Sequence, residues 1–576
     1  MHRATCNPHP ALVGSTTKTR RREHRQPTFG LALAGGLLLW AAFPPLGWWP
    51  LAWVAPVPWI FLLRYPELPG RRPYRALWLA GLIHWAILLE WVRRPHWSAG
   101  FGWIALSLYL ACYLPLFVAL ARATTSRLRL PLIIAAPLVW TGLELFRCYF
   151  LTGFGLALVG HTQLPWTSII QISDLGGAYA VSFVVLFVAA CLAQTLPGQG
   201  CGWRWWPWLP LSAVLLGCLI YGHQRMQASD RAAVDEPGAT VAMIQGAIDV
   251  SFEVDNSADA LDRYLDLSLQ AISARPDLDL IAWPESMFAS PATWVTHAES
   301  RTLTPEEIAI EDSHVAAFQR RLDVLLEIHR AQLARLPQPS GMAPLPEKQL
   351  PHFVLCCGTL HFGKSDMQRY NTALLVDDQA EVVGRYDKMH PVMFGEYVPL
   401  GSWLPQLYKL TPMYAGLTPG SEPKVFNVAG VRLAPTICFE STVPHLIGRQ
   451  VRRLKAQGQE PDALLNLSND GWFWGTSALD MHLMCNVFRA VEHRKPVIVA
   501  ANTGFSAWID RAGRVIERGP RRDEAILIAQ LHPGGQESLY TSWGDLLAGI
   551  CLLVCAAAAI GDVWGRWGRR QADSEK

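Results

Sequence analysis

Residues 431–440 read V-R-L-A-P-T-I-C-F-E. An apolar, partly β-branched run ends in Cys438, and a carboxylate, Glu440, follows two places on. Apolar runs of about four to eight residues bounded by turn formers are strand signals. A titratable side chain directly after such a run lies where α/β sheets gather their active-site groups. A lone cysteine in that position is as a rule a small buried hydrophobe, so its meaning depends on what the neighbouring segments present.

From Thr240 onward similar runs alternate with polar, helix-compatible stretches: TVAMIQG, LDLIAWPES, FVLCCGTL, TALLVDD, AEVVGRYDK, DALLNLSND, KPVIVAANTG and AILIAQLH. VDDQAEVV reads as a hairpin with Asp377 to Ala380 as its turn. Helical patterns fit Ala258 to Ala274, Ser313 to Leu336 and Leu479 to His493. The reading is a layered α/β domain over residues 223–542, large enough for its own core. The Pro-rich segment 336–350 reads as a surface loop. Three strand ends carry chemistry. W-P-E-S delivers Glu285; Y-D-K supplies Lys388, followed by Glu396 in F-G-E-Y-V-P-L; the opening stretch brings Cys438 and Glu440. Acid, amine and thiol together form a nucleophilic set. The twelve cysteines show no C-x-x-C or Cys/His metal spacing, so no metal site is expected. Adjacent Cys356 and Cys357 should point to opposite faces of a strand and serve packing rather than a disulfide.

The rest of the chain is of another kind. At 576 residues, with 51% hydrophobic and 17% charged content and 25 tryptophans, the protein is too apolar for an ordinary soluble enzyme. Uncharged runs occupy Phe29 to Phe43, Pro50 to Leu63, Ala76 to Leu89, Phe101 to Leu120, Leu130 to Leu143, Leu175 to Leu196, Trp205 to Tyr221 and Leu546 to Ile560. Several fall short of the roughly 20 residues an isolated spanning helix needs, but seven in succession argue for a membrane domain. Alternate threading puts Lys18, Arg20, Arg21, Arg22, Arg25, Arg64, Arg71, Arg72, Arg75, Arg122, Arg127, Arg129, Arg204, Arg566, Arg569 and Arg570 on one side. Only Arg93, Arg94 and Arg147 fall on the other. The positive-inside bias makes the first side cytoplasmic. The expectation is therefore a polytopic α-helical membrane protein of about eight spans with an inserted extracytoplasmic α/β domain. A basic cytoplasmic terminus occupies 1–28, seven spans 29–222, a closing span 543–563 and a cytoplasmic tail 564–576. No cleavable signal peptide is visible. The net charge of +3 follows from this topology and gives no sign of nucleic acid.

The order W-P-E-S, Y-D-K, F-G-E-Y-V-P-L and I-C-F-E resembles the carbon-nitrogen hydrolase (nitrilase) superfamily with its Glu-Lys-Cys triad. Its membrane-bound branch, the apolipoprotein N-acyltransferases, is more similar still, along nearly the whole chain. ISDLGGAYAVSF, YNTALL, LLNLSNDGWF and HLMCNVFRAVEHRKPVIVAANTGFSAWID extend the likeness. The resemblance implies an αββα sandwich on the periplasmic side of a bacterial inner membrane. It also implies a phospholipid acyl donor, a diacylglyceryl-modified apolipoprotein acceptor, and ping-pong transfer through a Cys438 thioester, which needs no organic cofactor. Glu285 would be the general base and acid. Lys388 would stabilise thiolate and oxyanion with a backbone N–H near Cys438. Glu396 would hold Lys388, and Glu440 would shape the turn at Cys438 or hydrogen-bond Lys388. Trp472 and Phe473 would pack near acyl chains, Phe439 would stand where the family often has Tyr, and Asn371 would contact substrate or serve as a turn residue.

Pro391, Met393, Phe439, Trp474 and the long segment 297–350 depart from the family pattern and bear on substrate access and loop closure. Two other readings stay open at this point. A membrane-tethered amidase or nitrilase would use the same triad with water as acceptor, although a soluble hydrolase fold has no use for eight spans. A non-catalytic scaffold or transporter would favour ionisable clusters within the spans, where His84 and Glu144 are nearly the only such groups.

Overall fold

The computed structural model describes residues 27–197, 202–231, 238–250, 257–288, 293–298, 302–336, 349–364, 366–401, 403–411 and 416–574. The expectations for Lys18 to Arg25, for nearly all of the basic terminus 1–28, for most of the Pro-rich loop 336–350 and for the side chains of Arg569 and Arg570 lie outside them.

Among the described residues two sheets lie face to face. One runs β13 (Ala525–Leu531), β1 (Ala239–Gln245), β2 (Leu280–Ala282), β4 (His352–Phe362), β5 (Met367–Val376), β6 (Val382–Asp387), with β3 (Trp294–His297) parallel to β4. The other runs β12 (Val515–Arg518), β11 (Ala507–Ile509), β10 (Val497–Ala501), β9 (Ala463–Ser468), β8 (Val431–Ile437), β7 (Phe426–Val428). Side chains alternate across each strand, so each sheet buries both faces. Val241, Met243, Val354 and Cys356 meet Leu433, Ile437, Leu465 and Leu467 between the sheets. Ala242, Ile244, Phe353 and Cys357 instead face the helices Ser257–Ala274 and Pro305–Arg335. The adjacent cysteines thus serve opposite cores, and both are free thiols. Ala434 and Leu464 turn to the helices Pro444–Ala456 and Ala478–His493. The result is four layers, helix, sheet, sheet, helix, in which each fully buried Leu, Ile or Val contributes roughly 1.5–3 kcal/mol.

The helix expected from Ser313 starts earlier, at Pro305, because Thr304 caps it: its side chain accepts from Glu307 N, and Glu307 answers on Thr304 N. Strands β3, β7, β11 and β12 are too short to register as sequence patterns. The helix Pro444–Ala456 also went unread, although Leu446, Ile447, Val451 and Leu454 form its buried stripe.

Each of the eight apolar runs is helical. Four helices, Ala99–Arg127, Leu132–Thr152, Ser173–Thr195 and Leu546–Trp567, are long and apolar enough to cross a membrane. Thr28–Ala42 and Trp49–Leu62 are apolar but shorter. The second of these is a 3₁₀ turn, Trp49–Trp53, followed by a short helix, Val57–Leu62, since Pro50, Pro56 and Pro58 remove backbone donors. Trp208–Arg231 runs past the expected boundary at 222 with a polar second half, and the last helix continues from Leu546 to Ser574. That last helix packs closely on its neighbour: a Cβ on Gly142 would meet the Cys555 sulfur at 2.9 Å.

The two ends of the helical bundle differ. At one, Arg64 Nη1 donates to the carbonyls of Ala193 and Leu196, Arg122 to those of Tyr65 and Pro66, and Arg127 pairs with Asp562. The other end, roughly 30 Å away at 1.5 Å per helical residue, meets the α/β domain. There Asp174 pairs with Arg494 and Arg225, each at 2.7 Å, and accepts from Tyr221 Oη at 2.7 Å. The helix Ser173–Thr195 breaks at Gly176 and Gly177. Gly177 has φ +70°, which favours glycine, and a Cβ there would lie 2.8 Å from the Tyr540 ring. Past the break the Ala178 N–H donates to Glu492 Oε1 at 2.8 Å. The apolar helices and the outer helical layer of the α/β domain share one continuous core.

Candidate active site

Parallel pairing of β1, β2 and β4 in one sheet and of β8, β9 and β10 in the other brings the ends of β2, β8 and β9 to one rim. Glu285 stands three residues past β2, Cys438 directly follows β8, and Asn469 directly follows β9. Lys388 follows β6, tied by its N–H to the Asn371 carbonyl of β5 at 2.9 Å. The structure brings Glu285, Lys388, Cys438, Glu396, Glu440 and Asn371 into one cluster.

Lys388 is its centre. Its ammonium donates to Glu285 Oε1 at 2.9 Å and to Glu396 Oε1 at 2.7 Å. Asn371, in the middle of β5 rather than a turn, donates to the same two oxygens at 2.7 and 3.3 Å. Backbone donors hold the far oxygens, Asn469 N on Glu285 Oε2 at 3.2 Å and Val392 N on Glu396 Oε2 at 2.7 Å. Burial pushes the Lys388 ammonium down, but the Glu285 and Glu396 carboxylates outweigh it and hold the group well above the usual lysine range.

Cys438 opens a short 3₁₀ helix, Cys438–Thr442, in the left-handed region at φ +54°. A non-glycine residue held there costs about 1–3 kcal/mol, and the surroundings fix it. The Cys438 carbonyl accepts from His482 Nε2 at 3.0 Å, Asn466 Nδ2 at 3.2 Å and Ser441 Oγ at 3.4 Å. From the helical bundle Gly155 abuts the Thr442 carbonyl so closely that a Cβ would overlap it. Burial raises the thiol well above its ordinary value; Glu285 adds to this, while Lys388 opposes it.

Glu440 does not bond Lys388. Its carboxylate accepts from Ile437 N, Tyr386 Oη, Met389 N and His390 N at 2.7, 2.8, 2.7 and 3.0 Å. It therefore ties the turn at Cys438 to the segment carrying Lys388, since donors from both sides converge on a fully buried group. Burial raises it to about 7 against those hydrogen bonds. Phe439 stacks on His390 with ring centroids 6.1 Å apart. Trp472 is half-buried in the single turn Asp470–Phe473, and its neighbour Phe473 meets Trp91 of the helical bundle edge-on at 5.2 Å. Past Lys388, Pro391 is buried, while Phe394, Leu400, Trp403 and Leu404 are exposed, as is Trp474 beyond β9. Met393 pairs with Tyr397 in an isolated bridge.

Residues that sequence reasoning missed lie behind the cysteine: Ser441, Asn466, Ser468, Asp470 and His482. Ser468 Oγ donates to Asp470 Oδ1 at 3.1 Å, and Asp470 Oδ1 faces His482 Nδ1 at 3.0 Å. Asp470, two places past the end of β9, carried the same strand-end signal as Glu285.

Comparison with known proteins covers both halves. Residues 35–191 match the apolipoprotein N-acyltransferase N-terminal domain, and residues 240–539 match carbon-nitrogen hydrolase. An apolipoprotein N-acyltransferase of Rhodopirellula baltica is 31% identical over 574 residues, covering 92% of this chain and 96% of its own. One of Geobacter metallireducens is 31% identical over 548 residues, covering 92% and 94%. Among solved structures, Saccharomyces cerevisiae Nit3, a member of branch 10 of the nitrilase superfamily, overlays 54% of this chain and 94% of its own at 14% identity and TM-score 0.34.

Proposed function

This chain belongs to the apolipoprotein N-acyltransferases, the membrane-bound branch of the carbon-nitrogen hydrolase family, and from that premise we propose that Cys438 carries a fatty acyl group from a phospholipid to a lipoprotein amine. The enzyme is an N-acyltransferase of lipoprotein maturation. The observation that carries the mechanism is the burial of Lys388 between Glu285 and Glu396 beside the strained turn at Cys438.

A thiol raised by burial is protonated at rest and needs a base. Glu285 is the carboxylate whose charge acts most on it. Glu285 takes the thiol proton as sulfur attacks the ester carbonyl of the donor. Lys388 and a backbone N–H beside Cys438 stabilise the oxyanion. The C–O bond breaks, the lysophospholipid alkoxide takes the proton from Glu285, and a Cys438 thioester remains. The α-amino group of the diacylglyceryl-cysteine then attacks the thioester, Glu285 removes its proton, and the C–S bond breaks to give an amide and the free thiol. Departure of the first product before attack by the second substrate makes the kinetics ping-pong. Glu396 and Asn371 keep Lys388 and Glu285 in place.

Both substrates are membrane-anchored, which gives the eight helical segments a purpose. We infer that residues 29–222 and 543–563 span a bacterial inner membrane, with 1–28 and 564–576 cytoplasmic and 223–542 periplasmic. The gathering of arginines at the end of the bundle away from the α/β domain supports this under the positive-inside bias. The exposed Phe394, Leu400, Trp403, Leu404 and Trp474 suit a rim along which acyl chains reach the thiol, with Phe439 and Trp472 deeper in. The test is purified enzyme in detergent with a defined phospholipid and a diacylglyceryl lipopeptide. The lipopeptide gains the mass of one acyl chain, and Cys438→Ala abolishes the gain. Release of free fatty acid with no acylated lipopeptide would make the protein a hydrolase instead.

A further inference from the structure

His482 stands on the helix Ala478–His493, behind the nucleophile and outside the Glu-Lys-Cys set. Its two ring nitrogens both face acceptors. Nδ1 lies 3.0 Å from Asp470 Oδ1, and Nε2 lies 3.0 Å from the Cys438 carbonyl oxygen. Neither an ionised carboxylate nor a carbonyl can donate, so a proton on each nitrogen satisfies both contacts. Ser441 Oγ, 2.9 Å from Nε2, has its own acceptor in the same carbonyl. Ser468 completes the group, donating to Asp470 Oδ1 at 3.1 Å and lying 3.4 Å from His482 Nδ1.

We propose that His482 is a positioning residue of the acyl transfer, an imidazolium pinned by Asp470 that clamps the Cys438 carbonyl and thereby aims the Phe439 N–H at the oxyanion. The peptide unit joining Cys438 to Phe439 is planar, and its C=O and N–H point in opposite directions. Fixing the carbonyl toward His482 fixes the N–H away from it, in the direction the clamp assigns to the oxyanion. A cysteine at φ +54° does not stay there on its own preference, and a charge-assisted donor is roughly twice as strong as a neutral one. Burial lowers the imidazole and Asp470 raises it, with the Cys438 carbonyl and the charge of Glu285 acting in the same upward direction, and the net shift is upward. Asp470 and Glu285 are the titratable groups acting on the ring.

The inference rests on Cys438 being the acylated nucleophile, and the test separates the two. Two single-turnover rates are measured on the full-length enzyme in detergent: acylation of Cys438 by a defined phospholipid, followed by intact mass, and alkylation of Cys438 by iodoacetamide. Acylation passes through an oxyanion; alkylation at a saturated carbon does not. His482→Leu is expected to slow acylation at saturating phospholipid by about 100-fold, the scale of one lost oxyanion donor. Alkylation and the half-saturating phospholipid concentration should stay within about twofold. His482→Gln, which restores a neutral donor, recovers about tenfold of that loss. If the Leu variant does not fold, the Gln variant carries the test, with acylation about tenfold below native and alkylation unchanged. Acylation at the native rate in the folded variants, or a parallel fall in both rates, overturns the clamp while leaving the thioester reading intact. Absence of any adduct on native enzyme overturns the thioester reading and the clamp with it.

Discussion

Lys388 Nζ lies 2.9 Å from Glu285 Oε1, and both side chains are closed off from solvent. A buried pair of this kind is held less by its own attraction than by the penalty of leaving either member alone. Lys388→Met strands Glu285 and Glu396 around the remaining amide of Asn371. The expected cost is about 3–5 kcal/mol, read as a lower midpoint of denaturant unfolding in detergent. A variant as stable as the native protein at pH 8 would contradict the arrangement.

Asn371 donates to Glu285 and Glu396 at once through its amide nitrogen, without adding charge to the cluster. Asn371→Ala leaves both carboxylates short of a donor, about 1–3 kcal/mol, and transfer is expected to fall by about 10- to 100-fold at unchanged fold. Asn371→Asp adds a third negative charge to the cluster and should fall further. Lipopeptide acylation rates for the three proteins check the order, and an active Asp variant would break it.

Gly177 links the spanning helix to the α/β domain. A methyl group there meets both the positive φ and the Tyr540 ring at 2.8 Å. Gly177→Ala is expected to lower the thermal midpoint, the φ alone costing about 1–2 kcal/mol. Adding Tyr540→Leu should recover the steric part but not the backbone part. Equal stability of the native and Gly177→Ala proteins would show that the helix break is not required.

Glu492 caps the helix that resumes at Ala178, and burial raises its carboxyl to about 7, against the charge of Arg489 and the Ala178 N–H. Folded protein then holds a proton that unfolded chain has lost between about pH 4.5 and 7. The contribution is fully present below pH 4.5 and disappears as pH rises through 7. Glu440 acts in the same direction. Thermal midpoints from pH 4.5 to 8 should therefore decline less steeply in Glu492→Gln than in native enzyme, without becoming flat. An unchanged slope would remove Glu492 from the titration.

The strand ends were legible because a run of apolar residues stopped by Pro284, Asp387 or Glu440 marks both the strand and the polar group at its end. Partners across the fold were not. Glu440 is two residues from Cys438 in sequence, yet two of its donors are Met389 and His390, about fifty positions away, and only the sheet order brings them near. His482 was hidden for a different reason. It lies on a helix buried almost all round, near Leu479, Leu483 and Asn486, where a histidine in the sequence resembles filling. The membrane part was readable in its hydropathy but not in its interruptions: proline breaks the run Pro50 to Leu63, and the paired glycines of ISDLGGAYAVSF mark a helix break whose use depends on Tyr540 and Glu492.

The central claim is the thioester on Cys438. Purified enzyme incubated with a phospholipid of one acyl length, then measured by intact mass, should carry a single acyl increment. It should be labile to hydroxylamine, map to Cys438, vanish in Cys438→Ala and discharge on addition of a diacylglyceryl lipopeptide. Acylated lipopeptide appearing with no adduct on the enzyme, or with Cys438→Ala still active, would mean direct transfer and contradict the account.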